Sequence, residues 1–371
     1  MRKPMSGPLG GLRKPFPLNL FGVAFGLSGL AGTWTVTAGA TAAITTAWWL
    51  VAAAVWLGSA LRYGLAAGTA RRMLDDHAHP VLGPFAALVP VTGMLLGSQL
   101  SRFAPQAGRV VVLVMVAAAA TIGALYLTRA LTGRHDLDSQ HAGHLLPTVA
   151  AGLIGGQSLA TVGLHDAALA AFAVGMLMWV LLGATILARL ASRPPLPDAL
   201  VPTHAIFAAP PAVAGNAWFT LNGGAPDLFE HALLGVFALF FLSQLTLLPR
   251  YTRLPFTHGF WALTFTIAAG GTYGIHWLTA THAAGATTWT VLAVTTALIA
   301  SIAVRSIALA IRGTQPAVRR VRAARLPAVS LRWQHTRGGS ADGGLGPVVP
   351  RVRTGDGRAG HAGGNGVGRR K

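Results

Sequence analysis

The sequence contains no cysteine and few charged residues. Without cysteine, disulfides, thiol nucleophiles and thiolate metal sites are excluded. Only 11% of the 371 residues are charged, whereas soluble domains carry about 25%. The ten acidic residues all fall in predicted loops, in the C-terminal stretch or at the ends of apolar runs. Such a composition is typical of a protein that keeps most side chains away from water.

Long apolar runs take the place of the missing charges. Ten runs are long enough to cross about 30 Å of hydrocarbon, and they are continuous rather than alternating, which predicts helices and not a β-barrel. The predicted spans are 17–38, 43–61, 80–101, 110–128, 146–163, 167–188, 202–221, 229–248, 255–277 and 287–304. We therefore expect an all-α membrane protein with ten transmembrane helices.

The net charge of +19 is carried almost wholly by arginine. Basic residues mark the cytoplasmic side of membrane proteins, so this charge indicates topology rather than nucleic-acid binding. Fifteen basic residues from Arg2 to Arg312 flank one side of the predicted spans, and two, Arg102 and Arg109, flank the other. Both termini are therefore expected in the cytoplasm. Abundant Ala, Gly and Arg favour a bacterial cytoplasmic membrane.

The chain divides into three predicted parts. Residues 1–14 form a basic cytoplasmic N-terminal segment, and residues 15–312 hold the transmembrane domain. Residues 313–371 are rich in Gly and Arg and cannot bury a core, so a disordered cytoplasmic tail is expected there. A basic tail of this kind favours contact with anionic lipid.

Proline and arginine alternate along the predicted spans. Odd-numbered spans open at Pro17, Pro80, Pro147, Pro202 and Pro255, and even-numbered spans close near Arg62, Arg129, Arg189, Arg250 and Arg305. Proline is favoured in the first turn of a helix. Five prolines alternating with five arginines indicate five helical hairpins in one ring.

The helix-breaking residues also separate the odd spans from the even ones. Odd spans carry Gly26, Pro90, Gly155 and the pair Pro210 and Pro211, whereas no even span contains an internal proline. Kinked helices are tolerated in membranes when they are buried in protein or face water. We therefore expect the odd helices to line a central pathway and the even helices to face lipid.

The pathway is predicted to be neutral in formal charge. The absence of a mid-membrane carboxylate argues against cation permeation and against a carboxylate proton relay. No metal site or enzymatic signature is predicted: there is no G-x-x-x-x-G-K-[ST] and no H-E-x-x-H. Asp75, Asp76, His77 and His79 stand close together, but a short loop with two members at a helix start is a weak metal motif. No cofactor is expected.

Several short motifs occur in one order along the spans. Phe21-Gly22-Val23-Ala24-Phe25-Gly26-Leu27-Ser28 lies in span one, and His79-Pro80-Val81 precedes Phe85 and Pro90 in span three. Leu146-Pro147-Thr148-Val149-Ala150-Ala151 and Gly163-Leu164-His165-Asp166 mark span five, and Trp261-Ala262-Leu263-Thr264-Phe265 marks span nine. Over about residues 15–312, this series resembles the tellurite-resistance/dicarboxylate transporter family, which includes plant slow anion channels.

The resemblance implies a ring of five hairpins, assembled as a homotrimer with one pore per subunit. It also implies that Phe265 plugs the pore. The pore-lining candidates are Phe21, Phe25, Gly26, Pro90, Gly155, Pro210, Pro211 and Thr264. Many relatives have a basic residue after the third-helix His-Pro-Val. Leu82 stands there in this sequence, which predicts a less positive cytoplasmic vestibule.

Three functions stay open at this stage. The first is passage of small inorganic or organic anions through a channel gated by Phe265. The second is a carrier or exporter of C4-dicarboxylates, sulfite or tellurite-related anions on the same scaffold. The third is a membrane protein without transport activity whose basic tail recruits partners. A channel gives unsaturated flux, a carrier saturates, and the third predicts no flux.

Overall fold

The computed structural model describes residues 16–311, in which all regular secondary structure is helical and no β-strand occurs. The predicted N-terminal segment and the predicted tail from residue 313 lie outside the described residues. The α-helices are α1 Phe21–Val36, α2 Ala42–Ala67, α3 Ala70–His77, α4 Leu88–Leu100, α5 Pro105–Leu131, α6 Ala151–Thr161, α7 His165–Ser192, α8 Ala209–Leu221, α9 Leu228–Arg253, α10 Trp261–Ala280 and α11 Ala286–Ile311. The all-α class predicted from sequence is confirmed.

Six helical stretches in residues 16–311 are long and apolar enough to cross a membrane. They are Ala42–Ala67, Gly83–Leu100, Pro105–Leu131, His165–Ser192, Leu228–Arg253 and Ala286–Ile311. The remaining predicted spans also coincide with helices, but α6 and α8 have only 11 and 13 residues. Ten membrane crossings therefore stay a prediction.

A tighter or wider helical turn precedes each of five helices, α1, α4, α6, α8 and α10. These leading segments are 3-10 turns at Leu18–Leu20, Gly83–Ala87, Ala142–Leu145, Val201–Ala208 and His258–Phe260, with a π turn at Leu146–Ala150. Three of these segments carry proline at their second residue: Pro84, Pro147 and Pro202. Proline fits there because it has no N–H to leave unpaired and its φ is already helical. Of the alternating prolines of the sequence, Pro147 and Pro202 therefore lie inside leading segments, and Pro17 directly precedes one.

Burial separates two classes of helix. The stretch Gly83–Leu100 is 61% buried, whereas the other five long apolar stretches are between 6% and 28% buried. The buried helices are α1, α4, α6, α8 and α10. Each of them packs on the next, and α10 packs back on α1. The exposed helices α2, α5, α7, α9 and α11 each pack outside the preceding buried helix.

Two sequence expectations about the segments between spans were wrong. Residues 70–77, expected to be loop, form the amphipathic helix α3, whose N-cap Thr69 accepts a hydrogen bond from the Arg72 N–H. The second concerns α9, which continues to Arg253, so Pro249 lies inside an even-numbered helix. Near this proline the Tyr251 hydroxyl donates a hydrogen bond to Gln244 Oε1 at 2.7 Å.

Arginines at the ends of the exposed helices reach back to the segment that opens the same helix pair. Arg129 Nη1 donates to the His77 carbonyl at 2.7 Å, and Arg189 Nη2 donates to the Asp138 carbonyl at 2.7 Å. Arg62 lies 5.5 Å from the centre of the Phe16 ring and Arg305 lies 5.3 Å from that of Phe256, in cation–π geometry. We call these four contacts the arginine clasps, and the end of the bundle that carries them the arginine end.

Candidate functional site

Two cavities lie among the buried helices. The arginine-end cavity is lined mainly by leading segments and by the first turns of buried helices, including Asn19, Phe85, Leu145, Leu200 and His258. The far cavity is lined by the later turns of the same helices, including Thr35, Gln99, Thr161 and Thr272. The two cavities therefore follow one another along the bundle.

Phe265 and Val213 line both cavities. The Phe265 ring stacks on the Phe25 ring, with centroids 3.6 Å apart and planes 12° from parallel. A Cβ added at Gly29 would stand 3.0 Å from Phe265 Cδ2, so glycine at this position leaves room for the ring. The aromatic pair thus fills the space at the boundary between the cavities.

The predicted site residues fall into two groups. Phe25, Pro210 and Phe265 line the arginine-end cavity. The other candidates are buried between helices and line neither of the two cavities: Phe21, Gly26, Pro90, Gly155, Pro211 and Thr264.

Close helix packing explains three members of the second group, Gly26, Thr264 and Phe21. Gly26 faces Thr264 so closely that any added Cβ would overlap the threonine hydroxyl. Thr264 Oγ1 donates to the Trp261 carbonyl at 2.8 Å, and Phe21 packs edge-on against Phe16 at 5.4 Å. The small residues of span one therefore bring α1 and α10 together, and the neighbouring Phe25 and Phe265 meet as a result.

The two cavities differ in polarity. Apolar side chains dominate the arginine-end cavity, and Leu82 is among them. The far cavity instead carries hydroxyl and amide groups and one charged side chain, Arg102. Among residues 16–311, no carboxylate lines either cavity.

Two charged side chains are buried in ways that the sequence did not reveal. Glu230 is fully buried near the start of α9, where its carboxylate accepts a hydrogen bond from the Tyr273 hydroxyl at 2.8 Å. Arg189 is only 3% exposed. Both stand near the ends of long apolar runs, where residue type alone does not tell a buried side chain from an exposed one.

Histidines at the arginine end are held neutral by burial. His141 Nδ1 accepts from the Gly143 N–H at 3.1 Å, and Nε2 lies 3.0 Å from the Val81 carbonyl. Burial lowers the pKa of His141 to about 4. Burial, with the nearby Arg129, also lowers the pKa of His77 to about 4. At neutral pH His141 and His77 therefore add no positive charge to that of the arginines at this end.

Comparison with known proteins agrees with this arrangement. The voltage-dependent anion channel family matches residues 15–310. The chain is 31% identical over 274 residues to a protein named tellurite resistance protein TehA homolog from Haemophilus influenzae, covering 70% of this chain and 80% of the relative. It is also 28% identical over 110 residues to S-type anion channel SLAH2 from Arabidopsis thaliana, covering 30% of this chain and 21% of that protein.

Proposed function

Because this chain belongs to the voltage-dependent anion channel family, which joins tellurite-resistance proteins with slow anion channels, we propose that it is a channel for small anions whose gate is Phe265. Membership of the family indicates anion transport across a membrane. The identity of the gate and the mode of transport are our proposal.

The position of Phe265 between the two cavities is the observation that supports the gate. Its ring lies against both cavities and is stacked on Phe25. A hydrophobic constriction can close a pore by excluding water as well as by blocking the permeant directly. Rotation of the Phe265 side chain away from Phe25 would join the two cavities. The gate would therefore open through the movement of a single side chain.

We propose that ten helices cross the membrane as five hairpins around this pathway. Each buried helix packs on the next, and α10 returns to α1, which supports a closed ring. We extend the family resemblance to a homotrimer with one pathway in each subunit, embedded in a bacterial cytoplasmic membrane with both termini in the cytoplasm.

Electrostatics favours anions over cations on this pathway. The arginine end gathers positive charge at one mouth, which raises the local concentration of anions. No carboxylate from residues 16–311 lines either cavity, so no ligand of the kind that cation pathways use is present along them.

A carrier of C4-dicarboxylates, sulfite or tellurite-related anions is the second candidate. The name of the Haemophilus relative, tellurite resistance protein TehA homolog, favours it. A carrier would use the same cavities but would move its substrate by a saturable cycle instead of by open diffusion.

Chloride current across planar bilayers tests the proposal, with the wild-type protein compared with Phe265→Ala. Removing the ring leaves a gap between the cavities, so we expect a rise of at least about tenfold in chloride conductance, the ratio that corresponds to about 1.4 kcal/mol in the open–closed balance. Phe241→Ala is the matched control, because Phe241 is 47% exposed on the outside of α9.

Three outcomes separate the functions. A conductance rise in Phe265→Ala alone, linear with voltage, supports the channel. Two results together would support the carrier: saturable uptake of malate or sulfite by vesicles, and a chloride current of Phe265→Ala that stays at the wild-type level. Absence of any flux would leave a protein without transport activity.

A further inference from the structure

We propose that the arginine-end cavity is a binding site for a medium-chain fatty acid, with the chain lying toward Phe265 and the carboxylate toward the arginine end. The inference goes beyond the proposed function, because such a ligand would fill the cavity and block the pathway instead of crossing it. It rests on the apolar walls, the depth and the polar edge of this cavity.

The walls of the arginine-end cavity present accessible apolar surface. Most of the side chains that line it are aliphatic or aromatic. Among them, Leu82, Ala150, Leu200, Ala262 and Phe265 are only partly buried. Contact with an apolar ligand removes such surface from water, which is favourable. A small hydrated ion gains nothing from these walls, since it would have to lose part of its hydration to lie against them.

The dimensions of the cavity suit an alkyl chain. Its volume, including its opening to solvent, is about 830 Å³, and small-molecule sites typically have about 300–1,000 Å³. Asn19 and Phe25 both line it, as do His258 and Phe265, so by helical rise the lining extends about 10 Å along the bundle. An extended chain advances about 1.2 Å per bond, so about eight or nine carbons span this depth.

Polar side chains at the arginine end of the cavity orient the ligand. Asn19 and His258 line the cavity from two leading segments and are only partly buried. The Asn19 amide N–H can donate to a carboxylate oxygen. Arginines outnumber aspartates in the loops at this end, and among residues 16–311 no carboxylate lines the cavity. The resulting positive potential favours an anionic head at this edge.

Photolabelling of the purified protein in phosphatidylcholine nanodiscs tests the site without requiring flux. The probe is decanoic acid with a diazirine at the end of its chain, and labelled peptides are identified by mass spectrometry. We expect labelling of the cavity lining near Phe265 that unlabelled decanoate competes away. Labelling of the exposed helices from the bilayer should persist in the presence of decanoate.

Ala262→Phe tests whether the chain lies in the cavity. Ala262 lines the cavity from α10, so a larger side chain there takes up the space of the chain. We expect the competed labelling to fall at least about tenfold, as for the loss of two buried methylene contacts. Ala170→Phe is the matched control, because Ala170 is exposed on α7. It should change the labelling less than about twofold.

Chain length gives a second measurement that uses the wild-type protein alone. From hexanoate to decanoate, each added methylene should lower the half-competing aqueous concentration about fourfold. Chains longer than about ten carbons should gain little more, because the depth of the cavity is already filled. Decanol has the same chain without the charge, and it should compete about tenfold more weakly.

Three results would overturn the inference. They are labelling confined to the exposed helices, competed labelling that is equally strong in Ala262→Phe, and competition by decanol equal to that by decanoate. Chloride current through Phe265→Ala bilayers, recorded in parallel, keeps the two proposals apart. Competed labelling without current would refute the channel and leave the fatty-acid site standing, and current without competed labelling would do the reverse.

Discussion

At the scale of single residues, the contact between Phe25 and Phe265 is the central feature of the pathway that we propose. These side chains are 240 positions apart, and their rings stack at 3.6 Å. Phe25 therefore holds Phe265 in the position that separates the cavities. A stacked aromatic pair contributes about 0.5–1.5 kcal/mol beyond its buried area.

Removal of Phe25 should loosen the gate without deleting it. In Phe25→Ala, loss of the stacking energy between the two rings is expected to raise basal chloride conductance about two- to tenfold. This level is below that expected for Phe265→Ala. Bilayer recordings of the single variants and the double variant measure this. Because the two rings act on each other, Phe25→Ala added to Phe265→Ala should change the conductance little further. A full additive increase would show that Phe25 acts on its own.

Both residues of this contact were predicted from the sequence as pore residues. The sequence did not show which of the other candidates pack between helices instead. Phe265 was assigned as a gate by resemblance, and its geometry is compatible with that role, which stays a prediction. Thr264 and Gly26 were grouped with the pore, yet both lie in the contact between α1 and α10. A single sequence does not tell which side of a kinked helix faces a cavity, because apolar and small residues occur on all its sides.

At the scale of helices, packing between buried helices depends on glycine. Gly215 of α8 lies under the Tyr273 ring of α10, and a Cβ there would overlap that ring, with Cδ2 at 2.8 Å. Tyr273 cannot easily move aside, since it is fully buried and its hydroxyl is bonded to Glu230 of α9. One missing methyl group thus sets the spacing of three helices.

Gly215→Ala should therefore destabilise the protein. Overpacking at this contact is expected to cost about 1–3 kcal/mol, seen as a lower Tm in detergent. Gly274→Ala is the matched control on α10, because an added Cβ there meets nothing within 4 Å. By helix propensity the control should be neutral or stabilising by up to about 1 kcal/mol. If Gly215→Ala kept the wild-type Tm, the Tyr273 contact would not govern the spacing.

The positions of the helices could be predicted more completely than their contacts. Apolar runs and prolines located every long helix, because both signals are local in the sequence. Burial of Glu230 and Arg189 was not foreseen, since it depends on Tyr273 and on the Asp138 carbonyl, which lie 43 and 51 positions away. Helix α3 was missed because it has only eight residues, most of them polar, and therefore gives no apolar run.

At the scale of the whole molecule, orientation in the membrane is the property that the arrangement of charges predicts. Loops at the arginine end carry most of the basic residues, and the loops at the opposite end carry few. Positive charge is retained on the cytoplasmic side. The arginine end, and both termini with it, are therefore expected in the cytoplasm.

The natural absence of cysteine allows a direct test of this orientation. Ala225→Cys places one thiol in the exposed turn between α8 and α9, and Thr132→Cys places one after α5 at the arginine end. In intact cells, a maleimide that cannot cross membranes should label only Ala225→Cys, and Thr132→Cys should react after permeabilisation. The reverse pattern would invert the proposed topology.

The arginine clasps have a consequence for how the chain is made. Arg129 and Arg189 bond carbonyls only 52 and 51 residues earlier, so the two helix pairs that they close can form these bonds soon after they leave the ribosome. Short separations cost little closure entropy and favour stepwise insertion, one pair after another. The contact of α10 with α1 must wait until the last pair is synthesised. The ring that meets Phe25 therefore arrives last, and the passage that we propose would be completed and closed in the same step of biogenesis.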